Sequence, residues 1–206
     1  QSRVSDEFIY ASEEAKLNYL KAFTDGFAKR IAEGLDEMIM HGVNPATGAA
    51  SQVIGTNNLD AKITKTVTLT ANPDTDVDGA IALVDDANGI ILGKSIRSAI
   101  AALKTTDGAV MYPEFAWGAT PSELGGIKVD ANKTVEANGA TARAYVGDFN
   151  ALKWGFAKNI PLEVIEFGNP DGAGDLKNTN ECILRSEAFV GWGILDADAF
   201  AAVTTV

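Results

Sequence analysis

The sequence predicts an α+β fold: a long helix lying across a long-stranded antiparallel sheet, beside a smaller helix–strand–helix region. Three observations predict it. Apolar residues recur at Ala15, Tyr19, Phe23, Phe27, Ile31, Leu35 and Met38. These steps of four, and once three, are helical, and no strand pattern reproduces them. Residues 181–195 alternate, with Cys182, Leu184, Ala188, Val190, Trp192 and Ile194 on one face and Arg185 and Glu187 on the other, as a half-buried strand does. Between them, residues 77–88, 90–92 and 95–103 read as helix, strand and helix.

Taken in order, Ser5 precedes Asp6 and Glu7, and Ser12 precedes Glu13 and Glu14. Each serine suits a helix cap, and the acids meet the positive end of the dipole. Ser12 is the main cap, with residues 5–10 either a separate turn or an extension of the helix. His41 and Gly42 are the stop, Gly42 suiting the left-handed position after the last turn. Residues 12–41 would span roughly 45 Å at 1.5 Å per residue. Gly26 and Gly34 inside the helix each cost up to about 1 kcal/mol relative to alanine, which predicts a close-passing backbone.

Asn44-Pro45-Ala46-Thr47-Gly48 ends the helix. Residues 49–72 are polar and threonine-rich, with Ile63, Val67 and Leu69 permitting an extended segment. Thr75, Asp76 and Asp78 cap the second helix and Gly89 stops it. Ile90-Ile91-Leu92 is a short buried strand. Ser95 then caps a third helix whose face carries Ile96, Ile100 and Leu103. From Leu124 onward, strands are predicted at 127–129, 142–146, 152–157 and 162–167, the last two separated by Asn159-Ile160-Pro161. Residues 168–177 form a loop rich in glycine and aspartate. The final strand, if unbroken, spans about 50 Å at about 3.3 Å per residue.

Composition narrows the function classes. The 206 residues hold one large domain or two small ones, and 46% hydrophobic content supports a core. No run approaches the length of a membrane span. The net charge of −11 argues against gripping nucleic acid through its phosphates. The single cysteine, Cys182, excludes an internal disulfide framework and a thiolate zinc cluster. The chain starts at Gln1 without a signal peptide, so it is expected to begin partway into a longer protein.

Candidate sites are few. Asp74, Asp76, Asp78 and Asp85, with Gly79, fit positions 1, 3, 5, 12 and 6 of a calcium loop. Against that fit, no entering helix precedes Pro73, and acids also suit a helix start. A calcium-stabilised binding module around this loop is one alternative function. An enzyme is the other, requiring a pocket that joins the lone histidine, His41, to Cys182 or to several acids. Cys182 itself reads as a small core residue. Gly89-Ile-Ile-Leu-Gly93-Lys94-Ser95 has too few residues between its glycines for a phosphate loop. Asp148 suits a turn. Trp117, Trp154 and Trp192 suit core or interface packing. No cofactor is expected.

The order of motifs resembles the major capsid protein of tailed bacteriophages, the Hong Kong 97 type. VSDEFIY leads into a long spine helix ending near Asp36 and Gly42, followed by NPATG. LKTTDGAVMYP at 103–113, LGGIKV at 124–129 and YVGDF at 145–149 follow in the family's order. CILRSEAFVGWGILDADAF closes the pattern, with Arg185 and Glu187 as an Arg-x-Glu pair and Ala199-Phe200 at the end. The resemblance covers nearly the whole chain, and order and spacing carry it more than any single motif.

The resemblance implies a Hong Kong 97-like fold and a structural, non-enzymatic subunit of a phage or prophage head. Such subunits form pentamers and hexamers that enclose double-stranded DNA. It implies a division into residues 1–59, the spine helix and start of the peripheral domain; 60–123, the main part of the axial domain; and 124–206, strands completing both. The loop carrying Asn169, Pro170, Asp171, Gly172 and Asp175 would face neighbouring subunits. Scaffolding, protease and portal proteins are implied partners, with assembly in the host bacterial cytoplasm and residence in the virion. Family members carry an arm and an extended hairpin before the spine helix, and neither precedes Gln1. No donor lysine for isopeptide cross-linking is therefore assigned, and this chain alone is expected to be a monomer or small oligomer.

Overall fold

The computed structural model describes residues 1–158 and 162–205; Asn159-Ile160-Pro161 lies outside them. In chain order the elements are β1 (Ser2–Ser5), α1 (Glu7–Tyr10), α2 (Glu13–His41), α3 (Leu59–Lys62), β2 (Lys65–Thr68), α4 (Pro73–Ile81), β3 (Gly89–Leu92) and α5 (Lys94–Ala102). They continue with β4 (Glu123–Leu124), β5 (Ile127–Ala131), β6 (Ala142–Gly147), β7 (Leu152–Lys158), β8 (Leu162–Ile165), α6 (Leu176–Thr179), β9 (Glu181–Ser186), β10 (Phe189–Ile194) and β11 (Phe200–Thr204). Short 3₁₀ segments occupy Pro113–Gly118, Lys133–Gly139 and Phe149–Ala151. Two compact units result, one from residues 1–32 and 155–191, the other from 33–154 and 192–206.

The second unit is built on a six-stranded mixed sheet, ordered β2-β11-β6-β3-β5-β4. The β11–β2 and β3–β5 pairs are parallel, and β11–β6, β3–β6 and β4–β5 are antiparallel. Side chains alternate across it as the pleat requires. Ile90, Leu92, Val129, Ala144, Val146, Ala201 and Val203 turn to one face and bury against Val77 and Ala80 of α4, Ile96 and Ile100 of α5, and Phe115 of the first 3₁₀ segment. Each large side chain fully buried there stabilises the fold by roughly 1.5–3 kcal/mol. Tyr145 and Phe200, at the alternate positions, serve the opposite face and are also fully buried. In the first unit, β1, β9 and β8 form an antiparallel sheet with β9 central. Cys182, Ile183 and Leu184 are buried on both of its faces.

The helix predicted over 12–41 forms as α2. The Ser12 hydroxyl accepts from the Ala15 amide at 3.3 Å, and Gly42 adopts φ +67°. Residues 7–10 make the separate turn α1. Only the last turns of α2 are deeply buried, through Gly34, Leu35, Ile39 and Met40.

Five expectations need correction. A Cβ at Gly34 would meet the Pro45 ring at 3.3 Å, a side chain and not a backbone, and Gly26 has open space around it. The second helix runs over Pro73–Ile81, not 77–88. Proline opens it where no amide is needed, and Leu83 and Val84 bond back to Ala80 and Ile81, tightening the chain out of the helix. Ser95 does not cap α5. The Glu136 carboxylate does so from afar, accepting from the Ser95 amide at 3.0 Å. The strand predicted over 162–167 stops at Ile165, and residues 176 and 177 of the predicted loop open the helix α6. The strand predicted over 181–195 breaks at Glu187 and Ala188. β9 joins β1 and β8, whereas β10 pairs with β7, so alternation within each half concealed a change of sheet.

Candidate functional site

The end of α2 presents Glu33, Asp36, Glu37, Met40 and His41 at steps of three and four, hence on one side of the helix. That side meets residues 132–138. Lys133 Nζ lies 2.9 Å from Glu33, the Asn132 amide donates to Asp36, and the Asn138 amide donates to Glu37 at 3.4 Å. Burial raises the Asp36 carboxyl above its ordinary range, and the Asn132 hydrogen bond only partly offsets that.

His41 closes the row. Its side chain is nearly inaccessible, with Nδ1 2.7 Å from Asp60 Oδ2 and Nε2 2.7 Å from the Thr134 carbonyl oxygen. The other Asp60 oxygen accepts from the Tyr145 hydroxyl. Both imidazole nitrogens face acceptors, and both can donate only in the imidazolium. Burial alone would lower the His41 pKa, but Asp60 and the Thr134 carbonyl outweigh it, with Glu37 adding to them, and the pKa is raised.

A raised folded-state value stabilises fully below the unfolded value of about 6.5, and the contribution is lost as pH climbs through the folded value. The melting temperature is therefore expected to fall as pH rises above about 6.5, and His41→Gln should flatten that slope. Thermal melts of both proteins across neutral to mildly alkaline pH check this; parallel curves would refute it.

In the other unit, Arg3 on β1 organises the predicted interface loop. Its guanidinium donates to both Asp171 oxygens at 2.7 and 2.6 Å, to Glu181 at 2.7 Å and to the Gly174 carbonyl at 2.7 Å. Arg3 therefore holds the Asp171 carboxyl far below its ordinary range. Asn169 Oδ1 accepts from the Gly174 amide at 3.0 Å, and Asp175 Oδ1 caps α6 through the Lys177 amide at 3.0 Å. Gly172 adopts φ +78°. Of the five predicted interface residues, the side chains of Asn169, Asp171 and Asp175 thus shape the loop itself.

Asp74, Asp76 and Asp78 fall on the first turns of α4, and Asp85 follows it. Successive alternate positions on a helix diverge by about 200°. Asp76 turns inward and accepts from the Thr70 amide at 2.6 Å, Asp74 accepts from the Tyr112 hydroxyl at 3.1 Å, and Asp78 and Asp85 are exposed. Among the described residues no three His, Cys, Asp or Glu side chains come together as a metal site. Cys182 is buried, its thiol pKa raised by desolvation. His41 and Cys182 belong to different units, and the polar partners of His41 lie within its own. Asp148 caps the 3₁₀ turn, accepting from the Asn150 amide at 2.9 Å. Trp192 donates its indole N–H to the Asn57 carbonyl at 2.9 Å, whereas Trp117 and Trp154 are exposed.

Sequence reasoning did not find Arg3, Asp60, Thr134, Glu136 or Tyr145. Only Asp60 had a usable local signal, since Asn58 caps α3 through the Ala61 amide and places Asp60 in its first turn. Two open grooves flank the sheet, about 730 Å³ beside Gly89, Lys128 and Phe149 and about 550 Å³ beside Asp74, Tyr112 and Ile127. Among the described residues no helix is long and apolar enough to cross a membrane.

Comparison with known proteins accounts for this architecture. The sequence model of the phage capsid family matches residues 1–205. A solved chain from Mycobacterium phage Ogopogo is 34% identical, and the match covers 100% of this chain and 73% of that one with a TM-score of 0.84. A chain from Gordonia phage Cozz is 25% identical, with coverage of 100% and 68% and a TM-score of 0.81. A chain from the capsid of an empty GTA particle shares the fold at 13% identity, covering 100% and 70% with a TM-score of 0.65. A search of curated proteins finds no match. The Hong Kong 97-like fold, the match along the whole chain and the identity to the Ogopogo chain lead to one conclusion: this chain belongs to the phage capsid family and is a structural subunit of a phage head.

Proposed function

We propose that copies of this subunit assemble into pentamers and hexamers and close into an icosahedral shell around double-stranded DNA, without catalysing a reaction. The observation that carries this reading is the whole-length likeness to the Ogopogo chain at a TM-score of 0.84. Extended elements with edges suit a shell, and the net charge of −11 limits adhesion to packaged DNA. In this reading residues 60–123 form the main part of the axial domain around the symmetry axes. Residues 1–59 begin the peripheral domain, and 124–206 complete both. The loop bearing Asn169, Pro170, Asp171, Gly172 and Asp175 faces neighbouring subunits, with Arg3 holding it in shape for them. Scaffolding, protease and portal proteins act with the subunit during assembly in the host bacterial cytoplasm.

Negative-stain electron microscopy of the natural subunit, with sedimentation velocity, tests the reading. Rings or closed shells are the expected result. A protein that stays monomeric across salt and pH, with scaffold supplied, would overturn it.

A further inference from the structure

We propose that a proton on His41 governs the start of α5, with residues 132–139 carrying the state of the imidazole from the end of α2 to the first turn of that helix. This coupling goes beyond the head-subunit reading and does not depend on it. Both imidazole nitrogens lie 2.7 Å from acceptors, Nδ1 from Asp60 Oδ2 and Nε2 from the Thr134 carbonyl oxygen. When one proton leaves, the other stays on Nδ1, because a hydrogen bond to a carboxylate is roughly twice as strong as one to a neutral carbonyl. Nε2 then turns a lone pair on the Thr134 oxygen, acceptor against acceptor. Thr134 is 1% exposed, so water does not take up the slack and the chain there must shift. The groups around the ring favour the proton. Tyr145 of β6 donates to the other Asp60 oxygen, and Glu37, one turn back on α2, supports the charged form. Cations close in sequence to these partners are engaged elsewhere. Lys133 is held by Glu33, Arg143 by the Ala140 and Ala142 carbonyls, and Lys62 diverges from Asp60 by about 200° around α3.

Just beyond Thr134, Glu136 serves the far side of the same segment. Its carboxylate accepts from the Ser95 amide at 3.0 and 3.2 Å and from the Ser95 hydroxyl. α5 depends on this distant cap. Its N-cap residue is Gly93, which has no side chain to offer, and its first turn carries no acid to meet the dipole. The fit is close, since a Cβ at Gly93 would overlap the Glu136 carboxylate. The segment shifts without swinging free. Its entrance is tied by the Asn132 amide to the Leu92 carbonyl at 2.9 Å, and the fully buried Val135 keeps it docked. Thr134 and Glu136 share one tight 3₁₀ turn, so a displacement of the first moves the second and weakens the Ser95 bond. The His41 pKa is raised, so α5 is capped below about pH 6.5 and loses that cap as pH climbs through the folded value.

A nuclear magnetic resonance titration of the isotope-labelled free subunit tests this. The Ser95 amide resonance should shift with the same midpoint as the His41 imidazole, above about pH 6.5. His41→Gln should abolish that inflection. Asp60→Asn keeps the size and one oxygen acceptor but removes the charge, so it should lower both midpoints together by about one pH unit or more. Glu136→Ala should erase the Ser95 inflection and leave the His41 midpoint raised, because the partners of the imidazole lie elsewhere. The Ala82 amide of α4, bonded to the Asp78 carbonyl at 3.0 Å, is the control and should not follow His41. A Ser95 amide without an inflection at the His41 midpoint, or one that keeps it in His41→Gln or Glu136→Ala, would overturn the proposal. So would midpoints that part in Asp60→Asn, or an Ala82 amide that titrates in step. None of these readouts involves rings or shells, so their failure leaves the head-subunit reading standing.

Discussion

Gly147→Ala is expected to lose about 3 kcal/mol of stability, near the upper end for overpacking at a site that cannot relax. Gly147 ends β6 and pairs with both neighbours, opposite Phe200 on one side and Gly89 on the other. Its φ is not positive, so alanine can adopt the backbone and only space forbids it. A Cβ there would overlap the Ala199 carbonyl oxygen and lie 3.0 Å from Phe200 Cα. Both are backbone atoms, and the Asp148 amide holds the same carbonyl at 3.0 Å. Neither can rotate away as a side chain would. Gly155→Ala in β7 is the control, because a Cβ there meets nothing within 4 Å. Urea denaturation should separate the two, with a large loss for the first and little change or a small gain for the second. Equal midpoints would sink the steric argument.

Asp60→Ala should cost about 3 kcal/mol, because one carboxylate satisfies two buried groups. Without it the Tyr145 hydroxyl is left unpaired in a fully buried position. His41 Nδ1 also loses its acceptor, so the imidazole reverts toward its neutral form. The Asp60 side chain keeps 38% exposure, which lets water reach part of the vacated space and keeps the loss below that of a fully interior pair. Tyr145→Phe isolates the smaller share, leaving the His41–Asp60 pair intact. In a double-mutant cycle with His41→Gln, the losses should be non-additive, since both residues share Asp60. Additive losses would mean that the three groups do not act as one network.

Much of the fold is legible in the sequence where interactions are local. Ser12, the apolar steps from Ala15 to Met38, and Gly42 sufficed for α2, because capping and helical spacing act within a few residues. Asp148 marked a turn, which it caps through the Asn150 amide. The long-range partners were not legible. Glu136 caps α5 across forty-one positions, and Arg3 reaches Asp171 across 168. No periodicity encodes pairings at such separations.

What the sequence determined by itself was therefore the long helix, most of the strand positions and, through the order of its motifs, the capsid fold. The tertiary structure alone decided that residues 181–195 divide between two sheets. It also decided that Asp74, Asp76, Asp78 and Asp85 scatter around a helix, that His41 meets Asp60 and Tyr145, and that Trp117 stands in solvent while Trp192 does not. The physical reason is common to all four. Local propensity sets the conformation of a few consecutive residues, but strand order and layer packing set which distant side chains arrive beside them. Burial, pairing and charge, the properties a site depends on, follow from those arrivals.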